Sequence, residues 1–198
     1  MSPKPLGKPR ALFLAGHPAL DFLNTRLSVG EDVVDILQSN EDVLIWLKEA
    51  GFSISIEGKP GSTTLLRSAR RLRENIRSLV EKRKSGNRGD PSVLNRFLAA
   101  CWSHPQLVWR KSDTLTIQTV RRQETAESIL APVAEAAANL LTTADFDLIK
   151  HCEGDACLMW FSDQTKSHNR RWCSMEMCGN RHKVAAYRVR GRSEKAST

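Results

Sequence analysis

Cys152, Cys157, Cys173 and Cys178 stand in the pattern C-x4-C-x15-C-x4-C. Two pairs of equal internal spacing, each on a tight turn, suit a tetrahedral Zn²⁺ ion held by four thiolates. The spacer reads as a short β-ribbon, with Leu158, Met159, Trp160 and Phe161 on one arm and Arg170, Arg171 and Trp172 on the other. Two disulfides are the competing reading. They would leave Cys101 odd, in a chain whose first residues lack the apolar stretch of a secretory signal. His151, His168 and His182 could each replace a cysteine, but the paired spacing already supplies four ligands. The expectation is one structural zinc per chain. Four thiolates leave no open position for a reactive water, so hydrolytic zinc chemistry is excluded at this site.

The metal has a folding task. A module of about 45 residues buries too little apolar surface to offset its chain entropy. Four-thiolate binding is worth on the order of 10–16 kcal/mol at neutral pH, enough to decide whether such a module folds.

Basic residues surround the cysteines. From position 150 onward there are ten Lys and Arg against five acids, which is +5 of the chain's total of +8. After Cys178, Gly179 suits a tight knuckle and Asn180 an N-cap, opening a helix from Arg181 to about Arg190. Arg181, Arg188 and Arg192 share one helical stripe, and Lys183 and Arg190 share another. Val184 and Tyr187 form a third stripe expected to pack on the ribbon at Trp160 or Trp172. Lys166 and Arg170 would add positive charge from the ribbon, while Arg171 is expected to pair with Asp163 inside the module. Such a field suits a polyanion, and the nucleic-acid candidates are Lys166, Arg170, Arg181, Lys183, Arg188, Arg190 and Arg192.

The remaining elements must position this module or serve a second one. Residues 1–9 and 192–198 read as flexible tails. Residues 10–15 read as a short strand ended by Gly16, and His17 to Thr25 as a helix with Leu20 and Leu23 on its apolar side. A cap at Ser39 opens an amphipathic helix burying Val43, Leu44, Leu47 and Trp46 and stopping at Gly51. The clearest helix runs from Thr63 to about Lys84 with Leu65, Ala69, Leu72, Ile76 and Leu79 on one face. Its arginines, Arg67, Arg70, Arg71, Arg73 and Arg77, read as a solvated face, with Glu74 and Glu81 pairing to Arg70 and Arg77. A helix capped by Asp90 follows, then a hairpin over 107–120, then an alanine-rich helix from Glu124 to about Leu141 that Pro132 should kink or split. The domain boundary falls near Asp145.

In the first helix, His17, Asp21, Asn24 and Thr25 lie within reach of one another. They could bind a small molecule, or cap backbone groups of a neighbouring loop. No nucleophile–base constellation, phosphate-cradling glycine loop or H-E-x-x-H motif is present, so the chain does not read as an enzyme.

Two stretches resemble a known pair of families. Arg170-Arg171-Trp172-Cys173-Ser174-Met175, then Cys178-Gly179-Asn180-Arg181-His182-Lys183, with Phe161-Ser162-Asp163 upstream, resembles the CGNR zinc finger. Residues 16–25, GHPALDFLNT, look like the opening of the ABATE-type domain that accompanies it. The resemblance implies a bacterial two-domain protein described as a stress-induced transcription regulator.

The expected fold is α+β: a mostly helical ABATE-type domain over 10–145 with a few short strands, and a four-cysteine zinc module over 148–191, a β-ribbon followed by a helix. The expected function is a cytoplasmic transcription regulator that binds nucleic acid, duplex DNA first, through the zinc finger, with a ligand-sensing N-terminal domain. The alternative is a protein-docking or dimerisation finger on a small-molecule sensor without DNA contact. No apolar run reaches the roughly 20 residues of a membrane span. The oligomeric state stays open, a dimer included.

Overall fold

The computed structural model describes residues 11–29, 32–54, 64–185 and 187. They belong to two units, one over Met1–Ile36 and Ala144–Thr198, the other over Leu37–Thr143. One division between them falls at Thr143–Ala144, and the described residues of the stretch before Leu37 fall in the same unit as the cysteine module. The expected tails, 1–9 and 192–198, lie outside the described residues, as do Arg188, Arg190 and Arg192.

In the first unit, helix α1 (Pro18–Leu23) opens with proline at its first position, where a missing N–H costs nothing. It buries Ala19, Leu20, Phe22 and Leu23. Strands β1 (Arg26–Val29) and β2 (Asp32–Asp35) pair antiparallel with Leu27 opposite Val34. Residues 11–15 form no strand, which corrects the sequence reading.

The second unit is helical at its centre. Helix α2 (Asn40–Glu49) has a complete capping box: the Ser39 hydroxyl accepts from the Asp42 amide at 3.1 Å, and the Asp42 carboxylate accepts from the Ser39 amide at 2.8 Å. Helix α3 (Thr64–Lys84) buries all five residues of the expected stripe, together with Val80. It packs against α2, α4 (Ser92–Ala99) and α5 (Ala126–Thr143). Each buried leucine or isoleucine at this junction contributes about 1.5–3 kcal/mol of apolar transfer.

Two expectations for α3 are corrected. Arg73 is 2% exposed and bonds Glu74 at 3.2 Å, so it belongs to the buried side rather than a solvated face. Glu74 pairs with Arg73 and Arg77, whereas Arg70 donates to the Leu37 carbonyl at 2.7 Å. Helix α5 runs through Pro132 without splitting, because the buried stretch from Ile129 to Ala137 packs on α3 and α4.

Strands β3 (Ser103–Trp109) and β4 (Leu115–Arg121) form a hairpin longer than expected, and Asp113 takes φ 50° in its turn. Two short strands complete the first unit. They are β5 (Ile149–His151) and β6 (Trp160–Ser162), antiparallel with His151 opposite Trp160. Among the described residues, no helix is long and apolar enough to cross a membrane.

Candidate metal centre and nucleic-acid interface

The ribbon beside the cysteines is built differently from the sequence reading. Its second arm is β5, ahead of Cys152, and residues 170–172 form no strand. Asp163 decides this. Fully buried, it accepts from the Lys150 ammonium at 2.7 Å, the Thr165 hydroxyl at 2.6 Å and the Arg170 amide at 2.8 Å. Those bonds fold 163–170 into a loop instead of a strand arm. Burial pushes the Asp163 pKa up, but Lys150, Thr165 and the Arg170 amide overcome this and hold it well below the usual carboxylate range.

The four cysteine sulfurs lie within 4.8 Å of one another. Cys157 and Cys173 are 3.9 Å apart, and Cys173 and Cys178 are 3.6 Å apart. A tetrahedral zinc with Zn–S bonds of about 2.3 Å sets its sulfurs about 3.8 Å apart. The cysteines are free thiols, with Cys152, Cys173 and Cys178 buried and Cys157 half-buried. Backbone amides of Cys173 and Gly154 donate to Cys152 Sγ at 3.2 and 3.4 Å. The Cys157 and Cys173 thiols, and then these amides, hold Cys152 far below the usual thiol range. Donation to Cys152 pushes Cys157 up to about 12. Four sulfurs this close resist common ionisation, and a divalent cation removes that penalty. The donor set and spacing fit one structural zinc. It would be held by Cys152, Cys157, Cys173 and Cys178, with no position left for a reactive water.

A glycine in the first cysteine turn leaves room for a ligand of the second, whereas at Gly179 the neighbour is the end of a flexible methionine. A Cβ at Gly154 would stand 2.9 Å from Cys178 Sγ, and one at Gly179 would stand 2.6 Å from Met175 Sδ. Ala156 takes φ 55° inside the first turn. The second turn is a π turn, Met175–Gly179, capped by the Ser174 hydroxyl, which accepts from the Glu176 and Met177 amides. Helical residues 180–185 continue from it. Asn180 is therefore helical, and Ser174 is the N-cap, which corrects the sequence reading. The cap moved because the helix had to begin early enough to carry Cys178 into the sulfur cluster.

The basic candidates divide into two groups. Lys166, Arg181 and Lys183 are exposed, with no acidic partner among the described residues. Arg170 is spent inside the module: its side chain donates to the carbonyls of Trp172, Cys173 and Leu14, and it lies 4.2 Å over the Phe161 ring. Arg171 pairs with Glu153 at 2.6 Å rather than with Asp163, and lies over Trp172 at 4.9 Å. Arg170, expected to face nucleic acid, is thus the internal one, and Arg171 bonds Glu153 in place of Asp163. Trp172 also stacks against His182, with ring centroids 4.7 Å apart. Val184 and Tyr187 are 49% and 74% exposed instead of packing on the ribbon. A groove of about 600 Å³ runs beside Trp172, Ser174 and Met175.

His17, Asp21, Asn24 and Thr25 are all engaged with backbone. His17 Nδ1 accepts from the Ala19 amide at 3.2 Å, capping α1. Asp21 accepts from the Ala15 amide at 2.9 Å. Thr25 donates to the Phe22 carbonyl at 2.7 Å. Asn24 makes two bonds to the Trp160 backbone. The Ser162 amide donates to the Ala15 carbonyl at 2.7 Å, and Gln164 Nε2 donates to the Gly16 carbonyl at 2.9 Å. Residues 15–24 thus line the open edge of β6. No short-range pattern signalled this, since the partners are about 140 positions apart.

Two family models match the chain. Residues 16–144 match ABATE, described as "Putative stress-induced transcription regulator", and residues 149–191 match the CGNR zinc finger. No curated protein matches it. With the four-thiolate cluster in place and both matches in this order, the chain belongs to the ABATE family and carries a CGNR zinc finger.

Proposed function

We propose that this ABATE-family regulator acts in the cytoplasm by binding nucleic acid, duplex DNA first, through its zinc finger. The observation that carries the reading is the exposure of Lys166, Arg181 and Lys183, with no acidic partner among the described residues, on a module whose four cysteine sulfurs cluster. Lysine and arginine free of acidic neighbours are available to phosphate, and neutralising each phosphate releases counterions. Arg188, Arg190 and Arg192 follow on the same sequence and extend the positive charge. The polar cluster of His17, Asp21, Asn24 and Thr25 has a positioning role in this reading, holding β6 in place for the finger.

Titrating random-sequence duplex DNA against zinc-loaded protein at several salt concentrations tests the proposal. Log K falls with log salt at about −0.9 per phosphate contact. An Arg181→Ala, Lys183→Ala double variant, both sites being exposed, should flatten the slope by about two units while keeping its zinc. A second reading has an observation of its own. Exposed Val184 and Tyr187 stand one helical turn apart and offer an apolar contact for a protein partner. Absence of duplex binding at low salt, equal in wild type and double variant, would overturn the nucleic-acid proposal in favour of docking.

A further inference from the structure

The β3–β4 hairpin pairs without interruption from Ser103 opposite Arg121 to Trp109 opposite Leu115. Opposed residues of an antiparallel pair share a face, and every second residue along a strand returns to it. Pro105, Leu107, Trp109, Leu115 and Ile117 therefore stand on one side of the ribbon. Leu107 is 65% exposed, Trp109 69%, Leu115 46% and Ile117 72%. No described helix or strand packs extensively on either strand of the hairpin. Its base is tied to α5, where Arg121 meets Glu135 at 2.8 Å and the Cys101 thiol donates to Glu135 at 2.7 Å. A two-stranded ribbon is marginal in water unless another layer covers its apolar face.

The character of that face selects its cover. Between Pro105 and Thr119 it carries no lysine, arginine, aspartate or glutamate, although the chain as a whole is +8. Arg121, at its far end, is neutralised by Glu135. A polyanion finds no cation there. A second copy meets no like charge on the face itself, Arg110 and Lys111 lying in the turn beyond Trp109, and a two-fold axis sets the apolar stripe against the same stripe of its partner. The exposed side chains offer on the order of 500 Å² per chain, so a two-fold pair buries on the order of 1,000 Å². That reaches the lower bound for a specific interface.

We propose that this face is a homodimer interface, covered by the same hairpin of a second copy. The two ribbons stack about 10 Å apart as a small four-stranded sandwich. The surface is distinct from the basic residues of the finger, so the proposal does not depend on nucleic-acid binding.

Sedimentation of the zinc-loaded full chain from about 1 to about 100 μM decides it. Wild type should approach twice the 22.2 kDa chain mass. Ile117→Lys and Ile117→Glu should each sediment as monomers while keeping their helical signal and zinc. Mixing the two should restore the dimer, a rescue that misfolded chains would not give. Tyr187→Ala should leave the dimer intact, separating this interface from any contact made by the finger. A wild type that stays monomeric throughout, or a dimer unchanged by both Ile117 variants, would overturn the proposal.

Discussion

The Asn24 side chain is hydrogen-bonded to the backbone of Trp160 on both sides. Its amide donates to the Trp160 carbonyl at 2.8 Å, and its oxygen accepts from the Trp160 amide at 2.9 Å. Asn24 therefore stands in for the neighbouring strand that β6 lacks on its outer edge. Only a carboxamide offers one donor and one acceptor in that geometry.

Asn24→Ala leaves two buried backbone groups without partners, each costing about 1–3 kcal/mol. Denaturant unfolding of the zinc-loaded protein should show a loss of about 2–6 kcal/mol in the unit that holds the finger. Asn24→Asp should be comparably damaging, because it sets a carboxylate oxygen against the Trp160 carbonyl. A loss under about 0.5 kcal/mol, typical of a neutral surface position, would show that the pair is dispensable.

Zinc removal should reach beyond the finger. The edge bonds from Ala15, Gly16 and Asn24 attach α1 to β6, and β6 is fixed by the sulfur cluster. Hydrogen exchange after chelation should show protection lost together in residues 18–28 and 149–178. Helices α3 and α5 should keep theirs. Persistent protection of 18–24 in metal-free protein would contradict this coupling.

Asp21 gives the same unit a pH dependence. Burial raises its pKa to about 6, partly offset by the amides of Ala15 and Leu14. An acid with a raised native pKa binds its proton more tightly when folded. Its contribution is complete below the unfolded value of about 3.9 and is lost as pH rises through about 6. Between those limits the loss is on the order of 2–3 kcal/mol. Asp21→Asn should flatten the profile in that window, read as a difference from wild type at saturating zinc. Parallel profiles for the two proteins would remove Asp21 from the account.

Gly154 limits how closely the cysteine turns can approach. An added methyl would come within 2.9 Å of Cys178 Sγ, displacing a ligand or the amide that donates to Cys152. Gly154→Ala should weaken zinc binding on the order of 10-fold in competition with a chelator. Cys173→Ser should lose most of the metal, which calibrates the assay. Unchanged affinity in Gly154→Ala would mean the turn relaxes at no cost.

The sequence alone determined the metal ligands and the helical core. Four cysteines at paired spacing leave few other chemistries, and the five-residue stripe of α3 is periodic because one face must be dry. Both signals are local, carried by residue type and short spacing. Tertiary structure decided the rest. It gave β6 the partner β5 ahead of Cys152, spent Arg170 on carbonyls while leaving Arg171 to Glu153, and moved the helix cap from Asn180 to Ser174. It also put His17, Asp21, Asn24 and Thr25 to work on backbone, with Asn24 on the edge of a strand about 140 positions away. A buried polar group takes whichever partner the folded chain brings within about 3 Å, and that choice depends on long-range packing that no spacing rule records.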